Sequence, residues 1–252
     1  MTIQYCSDLH LEFPRNAQLI AKKPLEPAGE ILILAGDIVP FRMLDDHRSF
    51  FDDLSDKFQR VFWLPGNHEY YHFDISNKPA ELFEQISPNV FLVNNQAIRY
   101  GDVELIFSTL WSHVSPQHAA VIEHGMNDFR LIRLNVRGLA VPDYNRLHLE
   151  SKAFLAGAVK NRTQSKSVII THHVPTFLHY PELYLGDELN EAFASEMSGF
   201  IEQTGANAWI YGHHHCPTPE FSIGTTRMLT NQLGYVEYNE HLHFSTGCSF
   251  DL

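Results

Sequence analysis

The sequence predicts an α/β sandwich, with mixed sheets inside, helices outside and late antiparallel strands that close the fold. Two observations carry this. The first half alternates short apolar runs with helix-length segments, and the chain turns β-rich beyond Pro217. In addition, each early apolar run stops at a short polar block, as a strand does when it emerges at one rim of a sheet.

Residues 3–6, 31–35 and 61–64 are apolar runs of strand length. Between the last two, Leu44, Phe50, Phe51, Leu54 and Phe58 recur at roughly helical spacing over residues 44–58. The second and third runs begin 30 residues apart, about the length of a βαβ unit. Residues 90–93 and 103–107 continue the strand pattern, and residues 111–142 read as loops and short helices. A helix is expected over 147–159, a strand over 168–171, a helix over 188–203 and a strand over 208–211. The closing strands are expected at 220–223, 226–229, 235–238 and 241–244, punctuated by Gly234-Tyr235 and Asn239-Glu240. No repeat, low-complexity segment or linker divides the chain, so residues 1–252 read as a single domain.

A chain of 252 residues with 44% hydrophobic content can bury a full core. Its net charge of -12 and pI near 5.7 argue against non-specific binding to nucleic acid or anionic membranes, which favours basic patches. No apolar stretch approaches the roughly 18 to 20 residues of a membrane span. The chain opens directly on a strand, without a basic region followed by an apolar one, so no secretory signal is expected. Cys6, Cys216 and Cys248 have no paired spacing, which suits reduced thiols in the cytoplasm.

Seven of the 16 histidines sit in four short blocks: His10; His68; His172 and His173; and His213, His214 and His215. With Asp8, Asp37 and Asn67 they occupy five segments that each read as the end of a strand. These are Asp8-Leu9-His10, Gly36-Asp37, Gly66-Asn67-His68-Glu69, His172-His173 and Gly212-His213-His214-His215. Singly, each has a bland reading as turn chemistry or an exposed loop pair. Ligands of open α/β sheets bind beyond the carboxyl ends of the strands, so together the blocks can meet on one rim as a metal site.

This set of blocks resembles the calcineurin-like metallophosphoesterase family, in the family's order and over the whole chain. Tyr5-Cys6-Ser7-Asp8-Leu9-His10-Leu11 and Thr171-His172-His173-Val174-Pro175 look like its bacterial branch. His214 departs from the pattern, since related proteins often carry a small polar residue there, but that middle position is not a ligand in the family. The resemblance implies a four-layer α/β/β/α sandwich of mixed sheets around two metal ions. One ion would be held by Asp8, His10, Asp37 and His215, the other by Asp37, Asn67, His172 and His213, with Asp37 bridging. Carboxylate, amide and imidazole without thiolate suit Mn, Fe or Zn. The implied chemistry is attack of metal-bound hydroxide on phosphorus.

His68 is similar to the family histidine that contacts phosphate or protonates the leaving group, beside Asn67; the alternative is that it only orients a ligand. His173 and His214 are expected to support neighbouring ligands, and Glu69 to be structural, since an acid beside a phosphate would repel it. Tyr70, Tyr71, His72 and Phe73 could stack on a substrate or pack internally. Asn127, Asp128 and Arg130 lie where a lid could form, and Arg130 could fork onto a phosphate or make a surface ion pair. Trp111 and His113 follow a strand and could reach the rim, whereas Asn231 and Tyr235 carry no assigned role. Cys216 adjoins a ligand, with nothing to mark it as a nucleophile.

The function expected is hydrolysis of a small-molecule phosphoester, diester ahead of monoester. The alternatives are a nuclease or protein phosphatase with the same metal centre, or a non-catalytic interaction protein on the same fold. The acidic chain and the lack of a basic or aromatic platform weigh against nucleic acid as a partner.

Overall fold

Every residue of Ile31–Ala35 is fully buried, which only a central strand covered on both faces permits. The computed structural model describes residues 1–252. The chain begins β1 (Thr2–Cys6), α1 (Pro14–Lys22), β2 (Ile31–Ala35), α2 (Arg48–Lys57) and β3 (Arg60–Leu64). Four strands follow: β4 (Leu82–Ser87), β5 (Val90–Asn94), β6 (Gln96–Tyr100) and β7 (Val103–Ser108). The middle segment holds α3 (Ala119–Gly125), α4 (Asp128–Leu131) and the two-residue strands β8 (Arg133–Leu134) and β9 (Arg137–Gly138). Then come α5 (Val141–Asn161), β10 (Lys166–Thr171), α6 (Asn190–Phe193) and α7 (Ser198–Thr204). The chain ends with β11 (Ala208–Ile210), β12 (Phe221–Ile223), β13 (Thr226–Leu229) and β14 (Ser249–Asp251).

Two six-stranded sheets result, ordered β14-β1-β2-β3-β5-β4 and β12-β13-β11-β10-β7-β6. In each, four parallel strands occupy the centre and one antiparallel strand covers each edge. The alternation of strand side chains separates three cores. Ile31, Ile33 and Ala35 face Val168, Ile170 and Ile210 between the sheets. Leu32, Leu34 and Trp63 turn outward onto Ile20 of α1 and Phe51 and Leu54 of α2. Ile106, Ile169 and Trp209 pack outward against Leu155 of α5 and Ile201 of α7. The layers therefore run helix, sheet, sheet, helix, as expected. No helix is long and apolar enough to cross a membrane.

Several expected elements change. The helix expected over 188–203 is two short helices, α6 and α7. Between them the chain runs extended, because Val174 N–H donates to the Phe193 carbonyl at 3.1 Å and Ser195 N–H donates to the Val174 carbonyl at 3.0 Å. The strands expected at 235–238 and 241–244 are single helical turns, Val236–Tyr238 and Glu240–His243. Asn239, at φ 63°, reverses the chain between them, and Glu240 accepts the Tyr235 N–H at 2.6 Å. The closing antiparallel strand is instead β14, whose three residues give little periodic signal. α5 begins at Val141, before the expected 147: Pro142 sits in its first turn and Asp143 accepts the Ala140 N–H at 3.1 Å.

Candidate metal centre

The five polar blocks lie where β1, β2, β3, β10 and β11 end, so both sheets contribute. Asp8, His10, Asp37, His213 and His215 all adopt left-handed backbone conformations, with φ of 57°, 48°, 56°, 85° and 52°. Non-glycine residues enter that region uncommonly. Here hydrogen bonds between neighbouring turns hold them there: Asp8 N–H to the Gly36 carbonyl and His10 N–H to the Asp37 carbonyl, both 2.9 Å. Two glycines leave room for the side chains. A Cβ at Gly36, whose own φ is 93°, would stand 2.2 Å from His172 Nδ1, and one at Gly66 would stand 2.2 Å from Asp37 Oδ1.

Two groups of donor atoms converge. Asp8, His10, Asp37 and His215 form one, and Asp37, His172 and His213 form the other, with the atoms of each within 4.8 Å of one another. Asp37 belongs to both: its Oδ1 lies 3.3 Å from His172 Nε2 and its Oδ2 lies 3.8 Å from His10 Nε2. Asn67 Oδ1 joins the second group, 3.2 Å from His172 Nε2.

The hydrogen bonds behind the rings decide the fit to a metal. His10 Nδ1 faces Glu12 at 3.2 Å, His215 Nδ1 faces Glu240 at 2.9 Å and His172 Nδ1 faces the Ala35 carbonyl at 2.9 Å. Carboxylates and carbonyls only accept, so all three Nδ1 atoms donate and each neutral ring turns an Nε2 lone pair inward. Yet His10 Nε2 lies 2.9 Å from His215 Nε2, and His172 Nε2 lies 3.1 Å from His213 Nδ1. Lone pairs that close repel each other unless a proton or a metal ion lies between them. The donor set has the carboxylate, imidazole and amide chemistry that Mn, Fe or Zn accepts, so these residues fit a metal pair.

The same pull acts on protons. Burial disfavours charge on His215, but hydrogen bonds to Asp8 and Glu240 push its pKa up to about 10. Against similar burial, Asp37 pushes His172 up to about 9. Asp37 itself, although buried, is held well below the usual carboxylate range by His172 and His68. For His213 and His173, burial and the neighbouring imidazoles win, and both fall well below an ordinary imidazole.

Residues 1–217 match the family model described as calcineurin-like phosphoesterase. The chain belongs to the calcineurin-like phosphoesterase family. A relative from Acanthamoeba polyphaga mimivirus, itself an uncharacterised protein, is 30% identical over 262 residues, covering 92% of this chain and 91% of its own. Among solved structures, the phosphopantetheinyl hydrolase of Mycobacterium tuberculosis overlays with a TM-score of 0.75 at 18% identity, covering 97% of this chain and 94% of its own. That likeness shows the shared fold. Family and donor geometry together point to a dinuclear metal site.

In this phosphoesterase the remaining expected residues divide cleanly. Glu69 is structural: its carboxylate accepts the N–H groups of Asp37, Ile38, Val39 and Gly66 at 3.0, 2.7, 3.3 and 2.6 Å, and Trp63 Nε1 at 3.2 Å. Burial and Asp37 push it up to about 7, while those donors favour the ionised form. Glu69→Ala strands buried donors at two motif turns and is expected to cost about 3–5 kcal/mol. At roughly 2–4 °C per kcal/mol, thermal unfolding should drop by about 10 °C; an unchanged melt would remove Glu69 from this role.

Asn67 is aimed by a contact that the sequence did not signal. Its Nδ2 donates to Asp128 at 2.8 Å, and Asp128 also accepts the Tyr71 hydroxyl at 2.8 Å, which leaves Asn67 Oδ1 facing the donor groups. His68 Nε2 lies 4.0 Å from Asp37 Oδ2, and Tyr71 stacks on the His68 ring at 4.0 Å. Tyr70 and Trp111 pack in the core, and Phe73 packs against Phe41. His113 is exposed, and Asn231 ties the Tyr5 and Ser245 carbonyls together. His173 sits against the Tyr144 hydroxyl at 2.9 Å, and His214 accepts from Gln232 at 3.1 Å, both supporting the ligand turns. Burial raises the pKa of the Cys216 thiol, with Glu240 adding to it, which does not suit a nucleophile.

The donor groups open into a cavity of about 360 Å³. Met126, Tyr180, Tyr184, Leu189 and Phe193 form an apolar wall, Tyr235 closes the far side, and no Lys or Arg lines the space. Arg130 is therefore not brought to the site. It is exposed and donates to Asn127 Oδ1 at 2.7 Å, because the short α4 points its last turn outward. Glu12, Glu240 and Tyr235 do surround the donor groups, and sequence reasoning gave none of them a role. The Asp8-x-His10-x-Glu12 alternation is the one signal that could have drawn Glu12 in.

Proposed function

We propose that the protein is a dinuclear metal-dependent phosphoesterase acting on a small-molecule phosphoester, with a diester preferred over a monoester. The observation that carries this reading is the pair of donor groups sharing Asp37 on the floor of the cavity. The ligand assignment follows the two groups: Asp8, His10, Asp37 and His215 for one ion, Asp37, Asn67, His172 and His213 for the other. Mn, Fe or Zn bound there would supply Lewis acidity and an activated water for in-line displacement.

The chain's own residues do the rest. Asp37 presents one oxygen to each group and fixes their separation. Asn67, braced by Asp128, orients the second group. His68 turns Nε2 into the cavity and delivers a proton to the leaving oxygen, with the Tyr235 hydroxyl 3.4 Å from that nitrogen. The wall offers apolar and aromatic contact but no cation, and Asp187 and Glu240 add negative charge. Such a space suits one phosphoryl group joined to an uncharged organic part. It does not suit a polyanion, which supports a small molecule over nucleic acid. A diester carries one negative charge where a monoester carries close to two, so it meets less repulsion.

Elemental analysis of the purified protein, with turnover of p-nitrophenyl phosphate and its bis ester in added Mn²⁺, tests the reading. Two metals per chain and faster turnover of the bis ester are expected. Hydrolysis of neither ester by the metal-loaded protein would overturn the enzyme reading, and preferred cleavage of single-stranded RNA or DNA would replace the small molecule.

A further inference from the structure

We propose that Glu12 is a positioning residue that sets the tautomers of His68 and His10 together, through one carboxylate oxygen. Glu12 Oε1 lies 2.8 Å from His68 Nδ1 and 3.2 Å from His10 Nδ1, while the two rings meet edge to face at 4.4 Å. A carboxylate only accepts, so both Nδ1 atoms carry protons. Both Nε2 atoms are thereby turned toward the shared Asp37 carboxylate, at 3.8 Å for His10 and 4.0 Å for His68. On His10 that nitrogen faces His215 Nε2 at 2.9 Å, and on His68 it is the one ring atom left to exchange a proton with a bound molecule.

The placement is built rather than incidental. Glu12 leaves the turn after β1 two residues beyond His10, so the backbone that delivers a donor to the first group also delivers the carboxylate behind it. Its side chain is 11% exposed, and its second oxygen is buried without a hydrogen-bond partner. No Lys or Arg forms an ion pair with it, so the two imidazoles are its only polar partners. The consequence for chemistry is specific. A histidine whose Nδ1–H is anchored on a carboxylate can, as the imidazolium, give up its Nε2 proton and remain in place afterwards as the neutral Nδ1–H tautomer. Without the anchor, either tautomer is available and the ring can turn.

The activity part of this inference rests on the phosphoesterase reading; the tautomer part does not. Imidazole ¹⁵N–¹H correlation spectra of the Zn²⁺-loaded, diamagnetic protein should show His68 and His10 both protonated at Nδ1. In Glu12→Leu, of comparable size but with no acceptor oxygen, His68 should become a tautomer mixture. Turnover should then depend on the leaving group. With p-nitrophenyl esters, whose leaving oxygen needs no proton, the loss should be less than about threefold. With phenyl esters it should reach about 10²-fold, the scale of a general acid. Glu12→Asp, which keeps the charge, should restore part of the phenyl-ester rate. An equal loss on both esters with the His68 tautomer unchanged would overturn the proposal. So would wild-type protein with His68 protonated at Nε2 alone, a result that needs no folded variant. If no ester is hydrolysed at all, the enzyme reading falls, and the tautomer spectra still decide the role of Glu12.

Discussion

Asp37→Asn is expected to remove phosphoester hydrolysis, lowering kcat/KM by about 10³-fold or more. The substitution keeps size and shape, and an amide oxygen can still accept the His68 N–H that Asp37 Oδ1 takes at 2.9 Å. What it removes is a charge and one of two oxygens, on the single residue common to both donor groups. With an amide there, one group loses an anionic donor outright and the spacing of the pair is no longer fixed. Two-metal stabilisation of the transition state amounts to several kcal/mol, and each 1.36 kcal/mol is a tenfold change in rate, which sets the scale. Bound metal should fall below two per chain in the same preparation, while the circular dichroism spectrum stays that of the wild type. Near-wild-type turnover at full metal loading would eliminate the bridging role.

Stripping both metal ions is expected to lower the unfolding midpoint by roughly 16–32 °C. One sheet supplies Asp8, His10, Asp37 and Asn67, and the other supplies His172, His213 and His215, so bound ions would tie the two sheets together at their shared rim. Ligand held at about 1,000 times its dissociation constant stabilises by about 4 kcal/mol per site. At this chain length each kcal/mol moves the midpoint by roughly 2–4 °C. Differential scanning calorimetry with and without a chelator measures the shift, and coincident curves would contradict it. The shift should also grow with pH. In the metal-free protein His172 and His215 are pushed up to about 9 and about 10, above the ordinary imidazole value of 6.5. Folded-state pKa values above the unfolded value stabilise fully below about pH 6.5 and lose that contribution as pH rises toward 9–10. Metal must displace those same protons, so it binds more strongly as pH rises and the metal-free fold loses support.

What the sequence made legible follows physical lines. Apolar runs ended by Asp8, Asp37, Asn67 or His172 are visible because burial on both faces demands continuous hydrophobicity and a rim position tolerates polarity. The donor residues were therefore readable, together with the sheets that carry them. The residues behind them were not. Glu240 reaches His215 from a single helical turn whose spacing resembles strand alternation, and Asp128 reaches Asn67 across 61 residues of chain. A lone carboxylate at the start of a one-turn helix has no period to reveal it, and its partner is settled only when the chain closes. Arg130 shows the opposite case: its chemistry suited a phosphate, but the direction of a one-turn helix decided where it pointed. The break between α6 and α7 was hidden for a similar reason, since hydrogen bonds to Val174 override local helix preference there.

The left-handed turns at Asp8, His10, Asp37, His213 and His215 bear on how this protein can change over time. Each holds a side chain where glycine would sit without strain, so simplifying any one of them relaxes the backbone while deleting a donor. Drift toward a more robust fold and retention of the rim chemistry therefore pull in opposite directions at these five positions. A descendant released from the need to bind metal would be expected to lose its histidines first at these turns, and to become a sturdier molecule in doing so.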